Sequence, residues 1–129
     1  MAESTGPKAG PKDGIAEAVR ELRAADVVAF GGVGIAGQVL PPTEAYQVLE
    51  LALPSRLDEV RPQISWLLDH GSAAAKVYAA TLLTRFDPAA ARAAWESLTG
   101  DSAEFTTYTG CLMDRTTLGE YATAQLDQA

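Results

Sequence analysis

The chain has 129 residues, of which 47% are hydrophobic and 21% are charged, and its formal net charge is −7. This length suits one domain with its own core, and the composition excludes an intrinsically disordered chain. The acidic balance argues against a protein that binds nucleic-acid phosphates, and the single cysteine excludes an internal disulfide.

We expect the first residues to carry no targeting signal. A secretory signal needs a basic start followed by an apolar run, whereas residues 1–12 contain glycines, prolines and no periodic apolar pattern. Residues 27–40 form the longest weakly polar stretch, which is too short to span a membrane as a helix. We expect a cytoplasmic protein with no membrane span, a disordered tail over residues 1–12 and a single helical domain over residues 13–129.

Helical patterns follow one another along most of the chain. Capping residues and prolines mark the expected helix starts, which stand at Asp13, at Pro42 or Thr43, and at Ser55, Ser72, Asp87 and Thr117. Pro54 is expected to end the second helix. The helix after Ser72 extends to about Phe86 and is apolar around its whole circumference, which predicts that it lies at the centre of the core.

Two segments depart from the helical pattern. Residues 27–30 favour a strand, and residues 105–113 are typical of a strand or an extended segment with a bulge at Gly110. We therefore expect a mainly α fold, with five or six short antiparallel helices and a small extended or β element. The alternative is an α+β fold in which residues 27–30 pair with residues 105–113 in a minimal two-stranded sheet.

The middle of the chain shows paired helices around the turn at residues 69–72 (DHGS), followed by the alanine-rich run at residues 73–83. Over residues 55–100 this pattern resembles the HEAT-like class of α-helical repeat proteins, although no repeat of about 40 residues recurs along the chain. The resemblance implies a protein-binding surface and carries over no catalytic residues. The whole order of elements is also similar to small Ala-rich bacterial proteins, which implies no activity.

A glycine-rich segment matches the spacing of a dinucleotide-binding loop. Residues 32–37 (GVGIAG) fit G-x-G-x-x-G through Gly32, Gly34 and Gly37. A helix must continue past the last glycine to hold the pyrophosphate, but Pro41 and Pro42 prevent a long helix from following directly. We therefore expect no nucleotide and no other cofactor. A tight loop that permits close packing or positive φ explains the same glycines.

The chain has one histidine and one cysteine. His70 stands at a predicted helix C-terminus, where the helix dipole favours an imidazolium, so we expect a capping role. Cys111 would need a base such as His70 within hydrogen-bond reach to act as a nucleophile, and beside Leu112 and Met113 a small core residue is the more usual interpretation. No pair of residues has the spacing of metal ligands, so we expect no metal site.

The polar residues 114–117 could bind an anion at the start of the last helix, or form only a turn and a cap. We expect the glycine loop to pack against residues 109–114 and to form with them the surface that a partner contacts. The candidate binding residues are Gly32, Gly34, Gly37, Thr109, Cys111, Asp114 and Arg115.

The favoured function is the binding of another protein, without catalysis, as an adaptor, regulator or immunity-type inhibitor. The acidic balance suits a basic partner, although it also confers solubility. The alternative is a small enzyme or ligand-binding protein whose site is formed by the glycine-rich loop and Cys111.

Overall fold

The computed structural model describes residues 11–33 and 37–128. The five helices in these residues are α1 (Pro11–Arg23), α2 (Pro41–His70), α3 (Ala73–Thr84), α4 (Pro88–Leu98) and α5 (Leu118–Gln128). Three strands, β1 (Val27–Val28), β2 (Glu104–Thr109) and β3 (Leu112–Thr117), form one sheet in that order. The prediction of a mainly α fold with a small β element is confirmed. In the described part of the chain, no helix is both long and apolar enough to cross a membrane.

Helix α3 lies at the centre of the core, as its apolar circumference predicts. It packs against α2, α4, α5 and the first two strands. Alanine side chains let these neighbours approach closely, because they fill little space and lose no rotamer freedom on burial. The fully buried residues of α3 are Ala74, Ala75, Val77, Tyr78, Ala79, Ala80 and Leu82.

Three of the predicted helix caps are present. The side-chain oxygens of Ser72, Asp87 and Thr117 accept hydrogen bonds from the backbone N–H groups of Ala75, Ala90 and Glu120, at 3.2, 3.1 and 3.1 Å. Each bond satisfies a donor that the first turn of a helix leaves without a backbone partner. These short-range signals were sufficient to place the starts of α3, α4 and α5.

The predicted start of the first helix is wrong. Helix α1 begins at Pro11, so Asp13 lies inside the helix and does not cap it. Proline is tolerated in the first helical turn, where its missing N–H is not needed. Residues 11 and 12 of the predicted disordered tail belong to α1. Residues 1–10 lie outside the described residues.

The first segment of helix α2 ends two residues after Pro54, where the sequence places the helix end. It continues to Arg56, whose φ of −132° and ψ of 33° break the helix into two segments. At the start of the second segment, the Arg56 guanidinium donates two hydrogen bonds to the Glu59 carboxylate, at 2.7 and 2.6 Å. Proline removes one helical hydrogen bond, and here the chain bends two residues later. The two helical segments predicted to meet at Pro54 and Ser55 are therefore present, with the break at Arg56, one residue after Ser55.

Residues 105–113 form parts of two strands and the turn between them, and the prediction of one bulged strand is wrong. β2 and β3 pair antiparallel, with Phe105 opposite Thr116 and Thr109 opposite Leu112. β1 pairs parallel with β2, which is the pairing that the α+β alternative anticipated, but within three strands instead of two. The sequence marks this hairpin only weakly, because its two-residue turn, Gly110-Cys111, lacks the Asn-Gly or Asp-Gly pair that usually signals one.

Candidate functional site

The hairpin between β2 and β3 turns at Gly110 and Cys111. Gly110 has a φ of +61°, a value that two-residue hairpin turns require at their first position and that glycine adopts without steric cost. Cys111 is a free, exposed thiol at the tip of this turn. The interpretation of Cys111 as a small core residue is therefore wrong, because the turn holds it away from the core.

β3 is an edge strand with unusually exposed apolar side chains. Leu112 is 74% exposed and Met113 is 65% exposed, although both belong to a regular strand. The sheet order places β3 at one end, so no described strand pairs with its outer edge. Edge strands are usually protected by charge, proline or a covering element. In the described part of the chain, residues 112–113 have none of these three kinds of protection.

The backbone groups that face the free edge follow from the register. Thr109 and Leu112 flank a two-residue turn, and such a pair exchanges backbone hydrogen bonds across the hairpin. Alternation then makes Met113 and Arg115 the residues whose N–H and C=O groups point outward. On the other side of β2, Thr106 donates to Asp26 at 3.1 Å, which agrees with this alternation because Thr106 stands opposite Arg115.

The two faces of the hairpin differ in charge. On the outer face, Arg115 donates to the Thr106 hydroxyl at 3.0 Å and to the Glu104 carboxylate at 3.2 Å. The inner face, which carries the buried Phe105, continues on β3 through Leu112, Asp114 and Thr116. The charge of Arg115 is thus compensated by Glu104 on the outer face, whereas the inner face carries the carboxylate of Asp114.

A groove of about 280 Å³ lies between the inner face of the hairpin and α5. We call it the hairpin groove, and its lining residues are Val28, Phe30, Thr107, Tyr108, Thr109, Thr116, Glu120, Tyr121 and Ala124. Glu120 is the one charged residue in this lining, and its carboxylate accepts a bond from the Thr116 hydroxyl at 3.3 Å. The groove therefore combines aromatic rings with a negative charge beside the open strand.

An aromatic cluster supports one wall of the hairpin groove. The Phe30 ring lies 5.0 Å from the Tyr46 ring and 5.3 Å from the Tyr78 ring, both in edge-to-face geometry. Burial raises the pKa of Tyr78, and its hydrogen bond with Ala29 partly opposes that shift. Burial also raises the pKa of Tyr46, against a hydrogen bond from Arg85. A raised pKa keeps both phenols protonated near neutral pH, and their rings pack against Phe30.

The glycine loop closes on itself. Val33 and Gln38 exchange backbone hydrogen bonds at 2.8 and 2.9 Å, and a Cβ atom on Gly32 would lie 2.5 Å from the Gly37 carbonyl oxygen. Gly32 is thus required by the close approach of the two arms of the loop. Helix α2 starts only at Pro41, so no helix N-terminus follows Gly37 directly.

The candidate residues are only partly brought together. Thr109, Cys111, Asp114 and Arg115 all belong to the hairpin, whereas Gly32 and Gly37 belong to the closed loop. The described lining of the hairpin groove includes Phe30, just before the loop, but neither Cys111 nor a residue of the loop. Gly34 lies outside the described residues. The packing of the loop against residues 109–114 stays a prediction.

The polar residues 114–117 do not form a turn. They belong to β3, and only Thr117 has the capping role that the sequence indicates. His70 is the last residue of α2 and lies exposed, with its ring 5.1 Å from that of Trp66. Among the described residues, no three His, Cys, Asp or Glu side chains converge on a point where they could hold a metal ion.

Sequence reasoning missed three parts of this site, which are the free edge of β3, Phe30 and Glu120. The dipeptide Gly110-Cys111 is a weak hairpin signal, because Asn-Gly and Asp-Gly are the pairs that normally mark a two-residue turn. Phe30 and Glu120 are far apart in the chain and meet only through the sheet and α5. No protein family, curated protein or solved structure matches this chain.

Proposed function

We propose that this protein binds an extended segment of another protein, which adds as a fourth strand to the free edge of β3. The observation that carries the proposal is the exposure of Leu112 and Met113, at 74% and 65%, on an edge strand without a described partner. Strand addition is a common mode of peptide recognition, with affinity supplied by main-chain hydrogen bonds and specificity by alternate side chains.

An added strand would satisfy the outward N–H and C=O groups of Met113 and the outward C=O of Arg115, whose N–H already donates to the Asp114 carboxylate at 2.8 Å. Side chains of the added strand would also pack beside Leu112 on one face and Met113 on the other, and the apolar area covered stabilises the complex by about 25 cal/mol per Å². An exposed apolar edge strand favours aggregation, and a bound segment of the partner would cover it. The mode requires no catalytic group.

The resemblance to HEAT-like repeats supports the same class of function, since those proteins present protein-binding surfaces. It would place the partner on the helices, and Trp66, which is 39% exposed on α2, is the aromatic residue that such a partner would contact first. We favour the hairpin because its edge offers main-chain bonds as well as apolar area. An adaptor, regulator or immunity-type inhibitor in the cytoplasm fits this role, and the exposed thiol of Cys111 suits a reducing compartment.

The test is a selection of peptides from a random library on the full chain, followed by measurement against Met113→Pro. Proline at position 113 removes an N–H that faces the free edge and leaves the bonds of the hairpin intact. Peptides that bind by strand addition should shift the backbone amide resonances of residues 112–117 and lose at least about tenfold in affinity for the variant, as expected when a main-chain bond and its register are lost.

Leu51→Ala is the matched control, because it removes an apolar side chain that is 80% exposed on α2. This variant should bind the selected peptides as the parent does. If the selected peptides bind Met113→Pro with undiminished affinity, or shift the resonances around Trp66 instead, strand addition at β3 is wrong.

A further inference from the structure

We infer that the partner strand carries basic side chains, lysine or arginine, at alternate positions on the face that meets Asp114 and Glu120. This inference rests on the proposed strand addition and specifies the chemistry of its partner. It follows from the distribution of charge across the two faces of the hairpin.

Two carboxylates lie on or beside the inner face, that of Asp114 on β3 and that of Glu120 in the lining of the hairpin groove. Asp114 accepts a bond from the backbone N–H of Arg115 at 2.8 Å, and Glu120 accepts one from the Thr116 hydroxyl at 3.3 Å. Both carboxylates are exposed, and in residues 11–33 and 37–128 neither lies within ion-pair distance of a cation. Their charge is therefore available to a partner.

The outer face of the hairpin has no comparable excess of negative charge. Its cation, Arg115, is paired with Glu104 at 3.2 Å and also donates to Thr106 across the two strands. An added strand would thus meet a compensated face on one side and a negative face on the other. This asymmetry selects which side chains of the partner point inward, because successive residues of a strand alternate between faces.

The positions of Asp114 and of Thr116, which Glu120 contacts, fit alternate side chains of one partner strand. Asp114 and Thr116 stand two residues apart on the same face, a separation of about 7 Å along a strand, and Glu120 contacts Thr116. A lysine or arginine of the partner opposite Asp114 would lie beside that carboxylate, and one opposite Thr116 would approach the carboxylate of Glu120. Their aliphatic stems would cover Leu112 or the rim of the hairpin groove.

A second copy of this chain is a poorer occupant. Twofold pairing of two β3 edges places one residue opposite its own copy. Centred on Asp114 or on Arg115, it sets like charges against each other, and centred on Met113 it sets Leu112 against Asp114. Each chain also carries a net charge of −7. A basic segment is the complementary partner.

The experiment compares three synthetic eight-residue peptides as probes on the full chain. One alternates valine and lysine, one alternates valine and glutamate, and the third has four lysines followed by four valines. Binding is followed by the backbone amide resonances of residues 112–117 up to about 1 mM peptide, at low and at high salt. We expect the alternating lysine peptide to bind at least about threefold more tightly than either of the others, as two exposed ion pairs would give, and to weaken with salt.

The double variant Asp114→Asn, Glu120→Gln removes both inner-face charges and keeps the shape and the accepting oxygens. It should bring the two alternating peptides to equal affinity. Asp58→Asn, Glu21→Gln is the matched control, because it makes the same change in net charge at exposed sites on α2 and α1 and should keep the lysine preference.

The outcomes separate the two proposals. Equal binding of the alternating peptides at residues 112–117 would overturn the basic partner and leave strand addition standing. Failure of every peptide to shift these resonances would overturn both. Concentration-dependent broadening of residues 112–117 without peptide would assign the edge to a second copy and overturn the basic partner as well.

Discussion

The hydroxyl of Tyr78 forms two hydrogen bonds with the backbone of Ala29, accepting from its N–H at 2.8 Å and donating to its carbonyl at 3.0 Å. Ala29 follows directly after β1 and has left the sheet, so its backbone groups need other partners. The Thr43 hydroxyl also donates to the Ala29 carbonyl, at 2.6 Å. One side chain from the core helix and one from α2 thereby fix the chain where it leaves the sheet and enters the glycine loop.

Tyr78→Phe should destabilise the protein by about 1–3 kcal/mol, because the buried N–H of Ala29 loses its acceptor while the ring still fills its site. The measurement is the free energy of unfolding from denaturant titration. Tyr108→Phe is the control, since it removes a hydroxyl from a half-buried position on β2 and should change the stability little. Equal effects of the two substitutions would contradict a structural role for the Tyr78 hydroxyl.

The protein should lose stability at alkaline pH. Burial raises the pKa of Tyr78 and of Tyr121, so the folded state holds these protons at a pH where the unfolded chain, with tyrosines near 10, has released them. The stabilisation is complete below about pH 10 and is lost as the pH rises above that value. Melting temperatures between about pH 8 and 11 measure the effect. Tyr121→Phe should flatten the decline, and an unchanged pH profile in that variant would show that Tyr121 does not contribute.

Gly119→Ala should be severely destabilising. A Cβ atom on Gly119 would collide with the carbonyl oxygen of Thr99 and approach that of Asp101 to 3.0 Å. Since both contacts are backbone atoms, relief requires movement of the chain between α4 and β2, at a cost of about 1–3 kcal/mol or more. Gly100→Ala provides the comparison, because a Cβ atom there has open space. Thermal unfolding of both variants decides the prediction, which fails if their melting temperatures agree.

Leu82→Ala should cost about 2–5 kcal/mol, the range for a fully buried leucine whose removal leaves a cavity. Leu51→Ala removes the same atoms from a side chain that is 80% exposed, and surface substitutions of this kind stay within about 0.5 kcal/mol. Denaturant titration of the two variants measures the difference. A small effect at position 82 would show that α3 is not the centre of the core.

The sequence by itself determined the helical class, the burial of α3 and the starts of three helices. These features depend on interactions within a few residues, such as the bond from Ala90 to the Asp87 side chain and the apolar circumference of α3. Asp87 and Ser72 cap their helices whatever lies elsewhere in the fold, so local patterns were enough to place them.

Only the tertiary structure decided that the hairpin ends in an edge strand. Whether residues 112–117 form an inner or an edge strand depends on which strands stand beside them, and β1 reaches β2 from the other end of the chain. The same pairing decides that Cys111 is exposed and that Phe30 and Glu120 line one groove. Strand pairing brings together residues far apart in sequence, and no local spacing records which edge is left open.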